Sequence, residues 1–400
     1  MLAEKFEQAK FVLKQIEKHH HQAYFVGGCV RDILLRRPIG DIDIATSATP
    51  QEIITMFDKV IPVGIEHGTV IVRHQQQSYE VTTFRVDGTY SDQRHPDSVE
   101  FIRTIDQDLL RRDFTINALA MDKNGDIIDL FMGKKDLENK VIKTVGNGYN
   151  RFNEDPLRIM RALRFSSQLG FSIDLETLDQ MKELKQQIET IAVERLATEF
   201  TKLFAGEFIN HGMEYLKSTD IYKHLPVMVK YPYIIDNLPK KLNSLSSFGQ
   251  VIALFHSIEP QISILTWVKE WKCSNKIKQE ATQLYEAFLH YKNHQLDQWL
   301  VYCLNTENYQ GFVKIINMFY GRGHVLIEEL EQIEQLLPIN SKKDLALNGN
   351  DLISLFPDVK KGPWIQTYLN LLEQQVVFGN IKNNKNELKD WIRWHPPEIN

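Results

Sequence analysis

The stretch GGCVRDILLRRPIGDIDIA, residues 27–45, places a glycine pair, an arginine and two aspartates around a short apolar run. The strand-like YFV before it leads into the glycines, and VRDILLRR has the spacing of a helix. Glycine lets backbone N–H groups approach a ligand closely, and the first turn of a helix presents unpaired donors. Gly28 and Arg31 are therefore candidates for holding a phosphate chain. A glycine turn between a strand and a helix also has a purely structural explanation, which stays open here.

The end of the same stretch, DIDIA, predicts a pair of metal-binding carboxylates. Alternate residues of a strand face the same side, so Asp41 and Asp43 should project together while Ile42 and Ile44 enter the core. Two carboxylates roughly 6–7 Å apart repel each other unless a cation lies between them. Oxygen-only ligation suits Mg²⁺, which keeps waters and takes further ligands from substrate phosphates. We expect Asp41 and Asp43 to be catalytic metal ligands, the alternative being a solvated pair at a strand end.

Length and composition limit the class of protein. A chain of 400 residues with 43% hydrophobic content predicts more than one packed core. Three widely spaced cysteines argue against a disulfide framework or a structural zinc site. The sequence has neither a signal-peptide pattern nor a run of about 18 apolar residues, so we expect a cytoplasmic protein without a membrane partner. The net charge of −5 means that any site for a polyanion is a local basic patch.

Strand-like segments cluster before residue 135, and helical spacing dominates after it. The predicted strands are YFVGG, DIDIA, TVIVRH, SYEVTTFR and VEFI, followed by a hairpin, NALAMDKNGDIIDLF, that turns at Asn124 and Gly125. The composition of residues 87–98 predicts a mobile loop. We therefore expect the α+β class, with an α/β head followed by an all-helical remainder. The predicted divisions are a head (1–135), a neck (136–206), a body (207–275) and a tail (276–400).

The form GGxVRD followed by DxD resembles the nucleotidyltransferase superfamily that includes DNA polymerase beta. Within it, the spacing is similar to the branch of tRNA nucleotidyltransferases and bacterial poly(A) polymerases, and specifically to class II of the CCA-adding enzymes. The resemblance implies a polymerase-beta-like catalytic head and magnesium-dependent nucleotide transfer with release of pyrophosphate. The helical half has no HD-type phosphohydrolase signature, which is typical of the short bacterial form. The motifs are dense from residue 24 to about 206 and sparse beyond.

Three further motifs fit this family. RRDFTINA, residues 111–118, looks like its second motif, in which the arginine matching Arg112 contacts the nucleotide at ribose or phosphate. A salt-bridged helix start is the alternative for Arg112. Glu80, in SYEVTTFR, is a weak candidate for a third carboxylate beside the metals, since a surface glutamate is nearly as good an interpretation. ERLATE, residues 194–199, is similar to the fifth motif, and we interpret it as a brace between helices.

EDPLRIMRALR, residues 154–164, predicts a helix with one charged side. Pro156 suits the first helical turn. Four residues recur every three positions and share that side: Asp155, Arg158, Arg161 and Arg164. The apolar Ile159, Met160 and Leu163 lie opposite and can anchor the helix. Arginines without interleaved acids suit phosphates and base edges better than salt bridges, although a solvated charged face is the alternative.

Asp155 and Arg158 could read a nucleobase directly. A carboxylate accepts hydrogen bonds and a guanidinium only donates them. Cytosine and adenine both present an amine beside a ring acceptor, whereas guanine and uracil present the reverse pattern. Two mismatched buried groups at ~1–3 kcal/mol each give a discrimination of roughly 10² or more. By resemblance, the residues matching Asp155 and Arg158 act as a protein template that selects CTP and ATP. We expect Arg161 and Arg164 to bind the nucleotide too, supporting those contacts and the phosphates.

The family comprises full CCA-adding enzymes, CC-adding or A-adding enzymes and poly(A) polymerases. RVDGTYSDQRHP, residues 85–96, resembles the flexible loop of the full CCA-adding type, so we expect addition of C, C and A to tRNA. The partial enzymes, a poly(A) polymerase and a non-catalytic RNA-binding relative stay open. Scattered basic residues of the tail could follow a tRNA backbone: Lys342, Lys343, Lys360, Lys361, Lys382, Lys385 and Lys389. The sequence leaves a homodimer open.

Overall fold

The computed structural model describes residues 2–88 and 98–396. The chain forms two compact units, Met1–Asp236 (unit 1) and Asn237–Asn400 (unit 2). The division into head, neck, body and tail is finer than these two units and stays a prediction. Most of the segment predicted as a mobile loop, residues 89–97, lies outside the described residues.

Unit 1 contains the strands. Their bounds are Ala23–Val26 (β1), Asp43–Thr46 (β2), Val60–Gly64 (β3), Thr69–His74 (β4), Gln77–Thr83 (β5), Arg85–Asp87 (β6), Val99–Phe101 (β7), Leu119–Met121 (β8), Ile127–Asp129 (β9), Val141–Ile142 (β10) and Ser172–Ile173 (β11). Its helices are Leu2–Lys18 (α1), Gly28–Leu34 (α2), Pro50–Met56 (α3), Ile105–Leu110 (α4), Gly133–Asn139 (α5), Gly148–Glu154 (α6), Leu157–Leu169 (α7), Leu175–Leu184 (α8), Val193–Phe204 (α9) and Ile209–Ser218 (α10).

A seven-stranded mixed sheet, in the order β3-β4-β5-β2-β1-β8-β9, forms the centre of the head. Strand β2 pairs antiparallel with β1 and parallel with β5, so it lies in the middle of the sheet. The parallel register sets Asp43 opposite Glu80. The residue that opens β2 and its neighbour on β5 are thereby brought together, although 37 positions separate them along the chain.

The predicted burial of the two isoleucines around β2 is confirmed, but the two aspartates are not placed on the strand as predicted. Ile42 and Ile44 are buried, 6% and 1% exposed. The strand begins at Asp43, however, so Asp41 lies before it, in an exposed position. The predicted hairpin is present as β8 and β9. Gly125 turns it with a φ of 98°, a conformation that glycine adopts without strain.

Helix α7 is the charged helix predicted from residues 154–164. Its apolar residues Ile159, Met160 and Leu163 are fully buried, as expected. Gly212 of α10 packs tightly against it, because a Cβ there would lie 3.1 Å from the Leu163 carbonyl oxygen. The remainder after the head is mostly helical, so the predicted fold class is confirmed. One correction concerns β10 and β11, a two-residue parallel pair that the helical spacing did not indicate.

Unit 2 is helical in its described part. Its helices are Phe248–Ile258 (α11), Ile264–Glu270 (α12), Asn275–His294 (α13), Gln298–Cys303 (α14), Tyr309–Tyr320 (α15), Ile327–Gln335 (α16), Gly349–Leu355 (α17), Trp364–Val377 (α18) and Lys385–Trp394 (α19). Buried apolar residues such as Leu352, Val376 and Leu388 form a core shared by the last three of these helices. Among the described helices of both units, none has the length and apolarity needed to cross a membrane.

Candidate active site

A cavity of about 590 Å³ in unit 1 gathers most of the residues singled out in the sequence. The predicted site residues that line it are Gly28, Arg31, Asp43, Arg112, Asp155, Arg158, Arg161 and Arg164. Asp41 is not among the lining residues. Three segments far apart in the sequence therefore meet: the glycine turn with β2, the RRD motif, and α7.

The glycine turn lets an arginine from another segment approach the backbone. Gly27 has a φ of 73°, and a Cβ on it would lie 2.8 Å from Nη1 of Arg112. Any other residue at this position would be strained and would displace that guanidinium. Arg112 also pairs with the buried Asp108, at 3.2 Å. The turn and the RRD motif therefore form one structural element of the cavity wall.

Arg31, in the middle of α2, is held by two partners. Its Nε and Nη2 donate to the carboxylate of Asp32 at 2.9 and 3.0 Å. Its Nη1 donates to Oδ1 of Asn117 at 2.7 Å. Two partners on different sides of one guanidinium fix its orientation in the cavity wall.

Acidic residues lie near the N-terminal end of β2, the strand that Asp43 opens. Burial, followed by the charge of Glu80, raises the pKa of Asp43 to about 6. Arg112 opposes this rise and the charge of Asp41 adds to it. Repulsion among these three acids, only partly offset by one guanidinium, is the situation that a bound cation relieves. Glu80, a weak candidate from the sequence, therefore lies beside the predicted metal ligands.

The oxygen-only donor set at this point fits a hard divalent cation. Enzymes of the nucleotidyltransferase type generally use divalent metals. Within the described ranges 2–88 and 98–396, however, no group of three or more His, Cys, Asp or Glu side chains is arranged to hold a metal by itself. Asp41 and Asp43 could therefore supply only part of a coordination shell, with water or substrate oxygens supplying the rest.

The arginines of α7 correct one inference from the sequence. The lack of interleaved acids suggested that they had no carboxylate partners, yet each has one from another segment or the preceding turn. Arg158 pairs with Glu154 at 2.7 Å. Arg161 pairs with Asp113 at 2.6 Å. The buried Arg164 pairs with Glu199 of α9, as expected of a brace that involves the ERLATE segment.

Asp155 lies between α6 and α7 with both carboxylate oxygens engaged. Oδ1 accepts the backbone N–H of Leu157 at 3.1 Å, and Oδ2 accepts Nη2 of Arg195 at 2.7 Å. Arg195 itself lines the cavity. The sequence interpretation of ERLATE as a brace missed this contact, because 40 residues separate the two partners.

Two other cavity residues had no assigned role in the sequence. Phe165 is buried beneath three guanidiniums, at 3.9 Å from Arg164, 5.1 Å from Arg31 and 5.4 Å from Arg161, measured from Cζ to the ring centroid. Its position directly after an arginine in a helix carried no signal of this. Asn117 was visible inside the RRDFTINA motif, but only the fold shows that its side chain contacts Arg31.

Comparisons with known proteins found similarity over the whole chain. Family models match residues 23–143 (Poly A polymerase head domain), 170–231 (probable RNA and SrmB-binding site of polymerase A) and 249–392 (tRNA nucleotidyltransferase domain 2, putative). The CCA-adding enzyme of Oceanobacillus iheyensis is 46% identical over 100% of both chains. That of Anoxybacillus flavithermus is 40% identical over 97% of both.

A solved structure is similar over nearly the whole chain. It is the crystal structure of the Bacillus stearothermophilus CCA-adding enzyme in complex with CTP, with a TM-score of 0.86 and 34% identity, covering 98% of this chain and 97% of the other. The chain belongs to the CCA-adding enzyme family. The family resemblance seen in the sequence motifs is thereby confirmed, as is the polymerase-type head followed by helices.

One ion pair of this family member gives a testable dependence on pH. Burial alone would raise the pKa of Asp113, but the charge of Arg161 and a hydrogen bond from Asn117 lower it to about 2. Because the pKa of Asp113 is lower in the folded protein than in the unfolded chain, its ionised carboxylate stabilises the fold at pH values above the unfolded pKa of about 3.8. The stabilisation is lost as the pH falls toward 2. The shift corresponds to about 2 kcal/mol at neutral pH.

We therefore expect Asp113→Asn to lower the free energy of unfolding of unit 1 at pH 7 and to have a much smaller effect near pH 2.5. All six tryptophans lie in unit 2, so hydrogen exchange of unit 1 peptides is the suitable measurement. The exposed Asp126→Asn is the matched control. A difference between wild type and Asp113→Asn that stays constant from pH 7 to 2.5 would contradict the ion-pair explanation.

Proposed function

We propose that this chain adds C, C and A to the 3′ end of tRNA, using CTP and ATP without a nucleic-acid template and releasing pyrophosphate. The observation that carries the proposal is the single cavity of about 590 Å³. It brings the half-buried Asp43 of β2, the arginines Arg31 and Arg112, and the pair formed by Asp155 and Arg158 at the start of α7 to one place. Nucleotidyl transfer with protein-based selection needs these three groups within one nucleotide's length.

Asp41 and Asp43 would hold the divalent cations, which we propose are Mg²⁺. Burial and the negative charges of Glu80 and Asp41, which together raise the pKa of Asp43 to about 6, support this assignment, because a bound cation would offset both. When bound, two such ions would activate the attacking hydroxyl and stabilise the leaving pyrophosphate. Glu80 would keep Asp43 in a strongly negative environment, which favours cation binding over protonation once the metal is present.

Gly28, Arg31 and Arg112 would bind the sugar and triphosphate. The tight turn at Gly27 brings the guanidinium of Arg112 against the backbone, within reach of Asp43. Both arginines are anchored by carboxylates on one side. An anchored guanidinium positions a phosphate at a defined distance from the metal ligands and loses little entropy on binding.

Asp155 and Arg158 would read the base. Both are anchored, Asp155 by Arg195 and Arg158 by Glu154. The pair accepts the amine and offers a donor to the ring nitrogen, a pattern shared by cytosine and adenine. Arg161 and Arg164 form ion pairs with other segments. They would hold α7 in place beside the phosphate site and would not contact the base.

The partner RNA would extend over the helical part of the chain. Trp394, at the end of α19, is 83% exposed, and an exposed indole stacks on unpaired bases. Of the tail lysines, Lys342 and Lys385 already lie near carboxylates, at 3.6 and 2.5 Å. The exposed Lys360 and Lys361 are therefore better candidates for the RNA backbone. As an enzyme acting on tRNA, the protein would work in the cytoplasm.

The first prediction concerns the products. With purified tRNA that lacks its three terminal nucleotides, we expect CTP alone to add two residues and CTP with ATP to add three. With tRNA ending in CC, ATP alone should add one residue. Sequencing gels with single-nucleotide resolution give the measurement. Extended A-tails on generic RNA would identify a poly(A) polymerase, and arrest after CC in the presence of ATP a partial enzyme.

The second prediction concerns Asp43→Ala. Loss of a metal-binding carboxylate should lower kcat by roughly 10³-fold, because several kcal/mol of transition-state stabilisation depend on the cations. Binding of tRNA, measured by filter binding, should stay at the wild-type level. Asp126→Ala, an exposed substitution in the same unit, serves as the control. Near-wild-type turnover by Asp43→Ala would contradict the metal assignment.

The third prediction concerns Asp155→Asn. An amide in place of the carboxylate removes the strong acceptor for the base amine, so kcat/KM for CTP and ATP should fall. The ratio of kcat/KM for CTP and ATP to kcat/KM for UTP and GTP should fall by roughly tenfold, which corresponds to one hydrogen-bond mismatch. Competition assays with all four nucleotides give the ratios. Asp179→Asn, largely exposed on α8, is the control. An equal loss for all four nucleotides would contradict a role in base selection.

A further inference from the structure

Asn117 contacts two charged residues of the cavity wall, Arg31 and Asp113. It ends a short 3₁₀ helix, Thr115–Asn117, directly after the RRD motif. Its side chain is 6% exposed and lines the cavity. Its own backbone carbonyl accepts a hydrogen bond from Nη1 of Arg112 at 3.5 Å. A buried polar side chain at this point must satisfy its donor and its acceptor within the protein.

The orientation of the Asn117 amide is determined by charge. Oδ1 accepts Nη1 of Arg31 at 2.7 Å, and Nδ2 donates to Oδ1 of Asp113 at 3.1 Å. A guanidinium can only donate and a carboxylate can only accept. The reversed amide would oppose donor to donor and acceptor to acceptor, so only one orientation is compatible with both neighbours.

Asn117 therefore separates two ion pairs without adding charge. On one side is Arg31 with Asp32, and on the other is Arg161 with Asp113. The three hydrogen bonds of Arg31 use three of its five N–H groups. In the part of the chain that the structure describes, the remaining two, one on each terminal nitrogen, have no protein acceptor.

The neutrality of the amide matters for Arg31. One carboxylate, Asp32, already neutralises much of its charge. A second carboxylate in the place of Asn117 would hold the guanidinium equally well and would compete with any incoming phosphate. It would also face the Oδ1 atom of Asp113 across 3.1 Å, where like charges repel. An amide gives the orientation of a hydrogen bond and leaves for a ligand the part of the Arg31 charge that Asp32 does not neutralise.

We propose that Asn117 is a positioning residue for the nucleotide triphosphate: its uncharged amide orients Arg31 toward the phosphates and isolates it from the Asp113–Arg161 pair. This inference rests on the proposed function, because it takes the ligand of Arg31 to be a triphosphate. It predicts that Asn117 affects phosphate binding and leaves base selection unchanged. Substitutions of Asp155 or Arg158 would instead affect base selection and leave phosphate binding unchanged.

The test compares Asn117→Asp with wild type, using inorganic tripolyphosphate, CTP and cytidine as probes. Tripolyphosphate contains only the part of the ligand that Arg31 would contact. We expect Asn117→Asp to raise the inhibition constant of tripolyphosphate and the Kd of CTP by the same factor, about tenfold, as for one charge-assisted hydrogen bond. Inhibition by cytidine and the CTP-to-ATP ratio of kcat/KM should not change. Asn139→Asp adds the same charge at an exposed position of α5 and is the matched control.

Two results would overturn the proposal. One is a folded Asn117→Asp protein whose affinity for tripolyphosphate equals that of wild type. The other is a parallel loss for tripolyphosphate and cytidine, which would indicate general damage to the cavity. If hydrogen exchange of unit 1 shows that Asn117→Asp does not fold, Asn117→Ala takes its place. We then expect a smaller loss of affinity for tripolyphosphate and no loss of affinity for cytidine. Failure of the proposed function is separate, since wild type would then bind tripolyphosphate without extending tRNA.

Discussion

The concentration of arginines around one cavity is the constraint on which the rest of unit 1 depends. Eight arginines and five carboxylates line the cavity in the described residues, an excess of three positive charges. Guanidiniums at this density repel one another unless each is paired, and a buried charge without a partner costs several kcal/mol. The pairs therefore determine which segments come together. Arg161 ties α7 to the RRD motif through Asp113, and Arg164 ties it to α9.

The same arrangement reconciles an acidic chain with a polyanionic ligand. The net charge is −5, yet the cavity is positive, so attraction for phosphate is local. At the N-terminal end of β2 the sign reverses, because Asp43 is paired in register with Glu80, and burial followed by the charges of Glu80 and Asp41 raises the pKa of Asp43. A triphosphate with bound cations would match this division, with its phosphates toward the arginines and its metals toward the acids. The cavity is thus complementary in charge to a metal-bound nucleotide along its length.

The sequence allowed the prediction of local features and left the long-range ones open. Alternation in DIDIA indicated buried Ile42 and Ile44, and helical spacing indicated the apolar face of α7. The register of Asp43 with Glu80 depends on the parallel pairing of β2 with β5, which no local pattern encodes. The partners of the α7 arginines were missed for the same reason, because Asp113 and Glu199 are 48 and 35 positions from Arg161 and Arg164. The ion-pair partners of the arginines on α7 could therefore be identified only once the fold showed which segments contact that helix.

The proposed reading pair also limits what can set the order of addition. Cytosine and adenine would offer the same amine and acceptor to Asp155 and Arg158, so this pair would reject guanine and uracil but could not rank C before A. Asp155 is held by Leu157 and Arg195, and a carboxylate fixed on both oxygens cannot change its pattern between steps without losing one of these bonds. The difference between the two bases that remains is size. With this reading pair, the order of addition would follow from the space left in the cavity by the growing RNA end, since the fixed hydrogen-bonding groups would be the same at every step.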